Sequence, residues 1–156
     1  MRRMAVWAGL VFVLDQVTKW AVLVRLNLDE VGSYDLFPPY LVFRMAWNRG
    51  VNFGLFSGES DLTRWALVLL ALAISAWVVA WVRREGGRGA EIAAGLLVGG
   101  ATGNALDRIL HGAVADFLNM SCCGIRNPYS FNLADVAIFL GAVGLVLLTG
   151  GRAKTA

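Results

Sequence analysis

The residues best suited to chemistry in this sequence are aspartates. Asp135 stands in FNLAD, just inside an apolar run that continues as FLGAVGLVLL. Asp15 and Lys19 lie four apart in DQVTK, and Asn104, Asp107 and Arg108 occupy i, i+3 and i+4 in GNALDR. Asp116 follows in VADF, and Asn132 precedes Asp135 by three. Side chains three or four apart share a helix face. The single histidine, His111, has no evident serine partner, and the sequence offers no His/Cys metal set. Two carboxylates brought close cannot both ionise readily, so one keeps a proton. The ionised one then activates water while the protonated one polarises a carbonyl. The same carboxylates suit two other chemistries: Mg²⁺-dependent phosphoryl transfer on a lipid, or a proton or ion path through Asp15, Lys19 and Asp107.

Each of these residues also has a purely structural reading. Asp15 and Lys19 suit an intrahelical ion pair, and Asp107 and Arg108 suit pairs that lock helices together. Asn132 and Asp135 have the spacing of a helix cap with an acid at its third position. Asp116 alone is an ordinary loop acid, and His111 an interfacial residue at a helix end.

The elements that must position these groups are read from hydropathy. Hydrophobic residues make up 58% of the 156, and mean hydropathy is +0.62. Soluble domains usually have about 45–50% apolar residues. A membrane span needs about 20 mostly apolar residues. Four such segments lie at roughly 4–24, 62–82, 90–110 and 132–150. The first is too long for a signal peptide, holds Asp15 and Lys19, and lacks a small-residue cleavage site, so it reads as a retained helix. With four spans, Arg2, Arg3, Arg83, Arg84, Arg88, Arg152 and Lys154 fall on one side, which the positive-inside rule makes cytoplasmic. The net charge of +3 thus points to a membrane rather than to nucleic acid.

At ~1.5 Å per residue, Asp15 and Lys19 lie roughly 16 and 22 Å from the cytoplasmic side. Asn104 and Asp107 lie roughly 21 and 25 Å deep, and Asp135 is about one turn below the outer surface. The polar groups gather in the outer half of a core about 30 Å thick. The apolar inner halves argue against an ion path. Gly95, Gly99 and Gly103, four apart, suit close helix packing. The outer segment 25–61 holds the strand-like YLVFRMAW after Pro38 and Pro39, and predicts a small β-containing cap. Trp47, Phe53 and Phe56 suit either the membrane interface or a mini-core of that cap. Residues 111–131 read as an outer loop, and Cys122 and Cys123 within it as small apolar residues.

With these motifs in order, the chain resembles the bacterial lipoprotein signal peptidases, or signal peptidase II. The matching stretches are DQVTK (15–19), NRGVNFG (48–54), GGATGNALDRI (99–109), VADF (114–117) and FNLAD (131–135). The resemblance implies a four-helix transmembrane bundle, all-α apart from a small extracytoplasmic β-cradle. It implies a monomeric multi-pass protein of the bacterial cytoplasmic membrane, with both termini cytoplasmic and the active site toward the periplasmic leaflet. The implied reaction is hydrolysis of the peptide bond before the lipidated cysteine of a diacylglyceryl-prolipoprotein. Asp116 and Asp135 match the family's catalytic pair. Asp15, Lys19, Asn48, Gly50, Asn104, Asp107, Arg108, Asn132 and Ala134 match its site-shaping and substrate-binding positions. No metal or cofactor is implied; membrane lipid surrounds the site, and globomycin-type cyclic peptides inhibit it.

Overall fold

In the computed structural model, residues 1–50 and 61–149 are described. The readings made above for Phe53, Phe56, residues 51–54 of the NRGVNFG stretch, Arg152 and Lys154 lie outside these residues. The protein is mostly helical with a small antiparallel sheet. Its long helices are α1 (Arg2–Trp20), α3 (Asp61–Glu85), α4 (Arg88–His111) and α5 (Leu133–Thr149); a short α2 covers Leu28–Val31. The strands are β1 (Ser33–Phe37), β2 (Leu41–Asn48) and β3 (Val114–Met120), ordered β1-β2-β3 in one sheet.

Helix α4 is the centre, packed against α1, α3 and α5. Its small residues permit this. A Cβ on Gly99 would sit 2.5 Å from the Ala8 carbonyl oxygen of α1. One on Gly100 would sit 2.4 Å from the Ala134 carbonyl oxygen of α5. Gly95 and Gly103 likewise face Met4 and Asp15 of α1 at 2.7 Å. The expected close approach of helices is therefore observed on two sides of α4.

One end of the bundle is apolar, with Met4, Val78, Val82, Ala94, Leu97 and Leu145 in a buried cluster. Toward the other end, Asp15, Lys19, Asn104 and Asp107 are buried. Meanwhile Val13, Leu14, Leu69, Leu70, Trp77 and Leu147 face outward. Apolar groups outside and charges inside reverse the pattern of a water-soluble bundle. Segments Arg2–Arg25 and Asp61–Arg84 are long and apolar enough to cross a membrane.

The sheet departs from the sequence reading. Residues 111–131 were expected to form a loop, yet Val114–Met120 forms β3 and pairs with β2. The short run has no clear alternation of its own, because nearly all of it is buried. Phe117 enters a small core with Val22 and Leu28, edge-on to Phe43. Successive strand side chains point to opposite faces, so anchoring Phe117 turns Asp116 away from this core. Helix α1 continues through a π-helical turn, Ala21–Arg25, which carries Val22 into the same core.

Gly99→Leu tests the α1–α4 approach. Overpacking against backbone is expected to cost about 1–3 kcal/mol or more, read as a lower melting temperature in detergent. An unchanged melting temperature would contradict the contact.

Candidate functional site

Asp116 and Asp135 reach one site because two long-range links hold their segments together. The backbone of Phe131 pairs with Leu118 of β3: Phe131 N donates to the Leu118 carbonyl at 3.0 Å, and Leu118 N returns a bond at 2.8 Å. The next residue, Asn132, starts α5. Its Oδ1 accepts from the Asp135 backbone N–H at 2.9 Å, while Asp135 Oδ2 accepts from the Asn132 N–H at 3.2 Å. This is a reciprocal capping box built from Asn and Asp. It fixes Asp135 one turn into the helix, beside the strand carrying Asp116.

Asn132 also joins the two acids. Its Nδ2 donates to Asp116 Oδ1 at 2.7 Å and to Asn104 Oδ1 at 3.1 Å. Asn104 Nδ2 donates to Asp135 Oδ1 at 2.8 Å. On the sheet side, Asn48 Nδ2 donates to Asp116 Oδ2 at 3.0 Å. Asn48 is held by its own Oδ1, which accepts from Gly50 N–H at 3.0 Å. Gly50 has φ of +116°, a conformation open to glycine and strained for other residues.

Beneath this layer lies an ion cluster. Lys19 Nζ is 2.8 Å from Asp15 Oδ2, 2.7 Å from Asp107 Oδ2 and 3.0 Å from Asn104 Oδ1. Asp15 is 0% exposed, Asp107 2% and Lys19 3%, so the carboxylates' other bonds matter. Asp15 Oδ1 accepts from Ala134 N–H and Asp107 Oδ2 from Ala115 N–H. Arg108 Nη1 donates to the Asn104 carbonyl at 3.3 Å, while its Nε is buried with no partner among the described residues.

Every site residue singled out from the sequence therefore falls in or beside this network. Gly50 and Ala134 take part through the backbone alone. Two members were missed. Gln16 donates to Asp15 at 3.2 Å and Asp107 at 3.1 Å. Its place inside DQVTK was the available signal. Asn119 is buried, and its Nδ2 donates to the carbonyls of Asn127 and Tyr129 at 3.0 and 2.8 Å, holding the return to α5. Nothing near Asn119 in sequence suggested this.

The two acids differ in surroundings. Asp116 is 3% exposed, and Asp135 is half-buried. Burial, and then the charge of Asp135, push the Asp116 carboxyl up to about 6, against the opposing bonds from Asn48 and Asn132. A carboxyl that holds a proton beside another carboxylate is equipped for acid–base work on one bound group.

Comparison with known proteins bears on the fold and the family. A solved structure described as a bacterial membrane enzyme, determined by the in meso method at 2.3 Å resolution, matches with a TM-score of 0.81 and 25% identity. The match covers 100% of this chain and 93% of that one. The class of fold is thus one found in a bacterial membrane enzyme. Residues 7–149 match the model of the family described as signal peptidase (SPase) II. The lipoprotein signal peptidase of Methylorubrum extorquens strain PA1 is 49% identical over 134 residues, covering 86% of this chain and 77% of its own. That of Sphingopyxis alaskensis is 38% identical and covers 97% of this chain and 88% of its own. The chain belongs to the signal peptidase II family, as its motifs led us to expect.

Asn119→Ala removes two bonds that hold the segment before α5. Each is worth about 1 kcal/mol, so hydrogen exchange across 127–129 should quicken roughly tenfold or more. Unchanged exchange would refute this role.

Proposed function

We propose that this chain removes the signal peptide from diacylglyceryl-modified prolipoproteins, cutting before the lipidated cysteine as an aspartic endopeptidase. The observation that carries the reading is the Asn132 side chain and backbone, which hold Asp116 at 2.7 Å and Asp135 at 3.2 Å in one network. The names of the related enzymes support the substrate class.

In this mechanism the scissile carbonyl lies between the two carboxyl groups. The ionised aspartate takes a proton from water, and the hydroxide oxygen adds to the carbonyl carbon. The protonated aspartate gives its proton to the carbonyl oxygen. When the tetrahedral species collapses, one of its hydroxyls returns a proton to the aspartate that gave one, the C–N bond breaks, and the leaving nitrogen takes a proton from the carboxyl that received one from water. Both groups return to their starting states. Their two protonation steps belong to the pair. Arg108 Nε, which has no partner among the described residues, is available for a substrate carbonyl, which is how a buried donor of this kind would be satisfied.

The four long helices cross the bacterial cytoplasmic membrane in this reading, with both termini cytoplasmic and the aspartates near the periplasmic leaflet. The outward-facing apolar side chains support lipid contact. Arg2 and Arg3 before α1, and Arg83, Arg84 and Arg88 around the α3–α4 turn, support the orientation. The acyl chains of the substrate lie in lipid beside the bundle, and the sheet and outer segments hold its backbone. The enzyme acts as a monomer without metal or cofactor, and a globomycin-type cyclic peptide occupies the same site.

Asp116→Asn and Asp135→Asn should each lower cleavage of a lipidated precursor by about 10³-fold or more, because each removes a member of a unit. Full processing by either folded variant, measured in membranes, would sink the assignment. EDTA should leave cleavage by the native enzyme intact; its loss would favour metal-dependent phosphotransfer or metal-assisted hydrolysis.

The pH dependence has a sign. Asp116 holds its proton up to about 6, so above that pH the free enzyme loses its acid. The kcat/KM of the native enzyme should fall on the alkaline side with an apparent pKa near 6. A flat profile from pH 5 to 8 would contradict the role of this proton.

A further inference from the structure

The buried ion cluster is almost shut off from solvent, yet its bonds end at three points around the aspartate pair. Asp15 Oδ1 holds the N–H of Ala134, the residue before Asp135. Asp107 Oδ2 holds the N–H of Ala115, the residue before Asp116. Lys19 Nζ holds Asn104 Oδ1, on the amide whose Nδ2 donates to Asp135.

The third link has a polarity that a cation enforces. An amide has an acceptor end and a donor end, and the two can exchange by rotation. Asn104 Oδ1 receives Lys19 and Asn132, which uses its acceptor capacity. Were the amide reversed, its NH₂ would face an ammonium that can only donate, and its oxygen would face the Asp135 carboxylate. Both contacts would be repulsive. Lys19 itself cannot move away, because Asp15 and Asp107 hold it at 2.8 and 2.7 Å. Arg108 is the other cation beside the pair, and it reaches the Asn104 backbone carbonyl rather than its side chain. Asn132 is oriented separately, since its Oδ1 must accept from the Asp135 backbone N–H.

We infer that Lys19 is a positioning residue for peptide cleavage: its ammonium fixes the Asn104 amide so that its N–H group points at Asp135, while its two aspartate partners set the backbone beside each acid. This rests on Asp116 and Asp135 being the catalytic pair. The effect passes through Asn104 and not through substrate contact, so it falls on kcat and leaves KM nearly unchanged.

The test is a double-mutant cycle on the full chain, purified in detergent and assayed with a lipidated precursor. Lys19→Met alone should lower kcat about 10- to 100-fold, the worth of one hydrogen bond to a charged group. In the Asn104→Ala background the same change should lower kcat less than threefold, because the amide it orients is gone. Lys19→Met leaves two buried carboxylates facing each other and can fail to fold. The Asp15→Asn/Lys19→Met double variant, which removes one charge of each sign, then replaces it and is expected to give the same pattern. Equal kcat losses with and without Asn104, or a loss confined to KM, would overturn the inference. Asp116→Asn and Asp135→Asn run alongside separate the two claims. If they cleave normally, the catalytic pair is wrong; if they are inactive while the Lys19 and Asn104 effects multiply, only the positioning role is wrong.

Discussion

The constraint on which the site depends is the burial of one ammonium between two carboxylates. Lys19, Asp15 and Asp107 are nearly inaccessible, and removing an ion from water costs several kcal/mol after relaxation. Such a cluster is tolerated only when every lone pair and proton has a partner. Here the remaining partners are Gln16, Asn104 and the backbone N–H groups of Ala115 and Ala134. Satisfying the ions therefore requires α1, α4, the start of β3 and the start of α5 to meet at one point. Glycines on α4 make that meeting possible, since a Cβ on Gly103 would come within 2.7 Å of Asp15 Oδ2.

The aspartate pair is an outcome of this arrangement. Strand β3 brings Asp116 from one direction, held in the sheet through Ala46 and turned by the burial of Phe117. Helix α5 brings Asp135 from another, held by its own capping box. The amides of Asn48, Asn104 and Asn132 fill the space between with donors aimed at carboxylate oxygens. Donors so placed favour charge on the acids, while burial opposes it, and the balance lifts the Asp116 carboxyl to about 6.

Much of this was legible in the sequence because it is local. The Asp15–Lys19 pair is i,i+4, and the Asn132–Asp135 cap is a three-residue spacing; both need only helix geometry. The glycine stripe likewise signalled close helices before their partners were known. The family motifs named Asn48 without a physical reason; its bond to Asp116 supplies one. What was not legible depends on pairing between distant segments. Strand β3 was read as loop because its residues are buried on both faces and show no alternation. The bridge between Leu118 and Phe131, which brings the aspartates together, is set by register rather than composition. Asn119 was invisible for the same reason, since its partners are backbone carbonyls of a neighbouring turn.

The most direct measurement is a crystal structure of this chain holding an uncleavable lipidated precursor, its scissile carbonyl replaced by a hydroxymethylene group. The account predicts that hydroxyl within about 3 Å of a carboxyl oxygen of both Asp116 and Asp135, with Arg108 on a neighbouring carbonyl and the acyl chains against the bundle's outer face. A hydroxyl bound away from either aspartate, in an otherwise ordered complex, would contradict it.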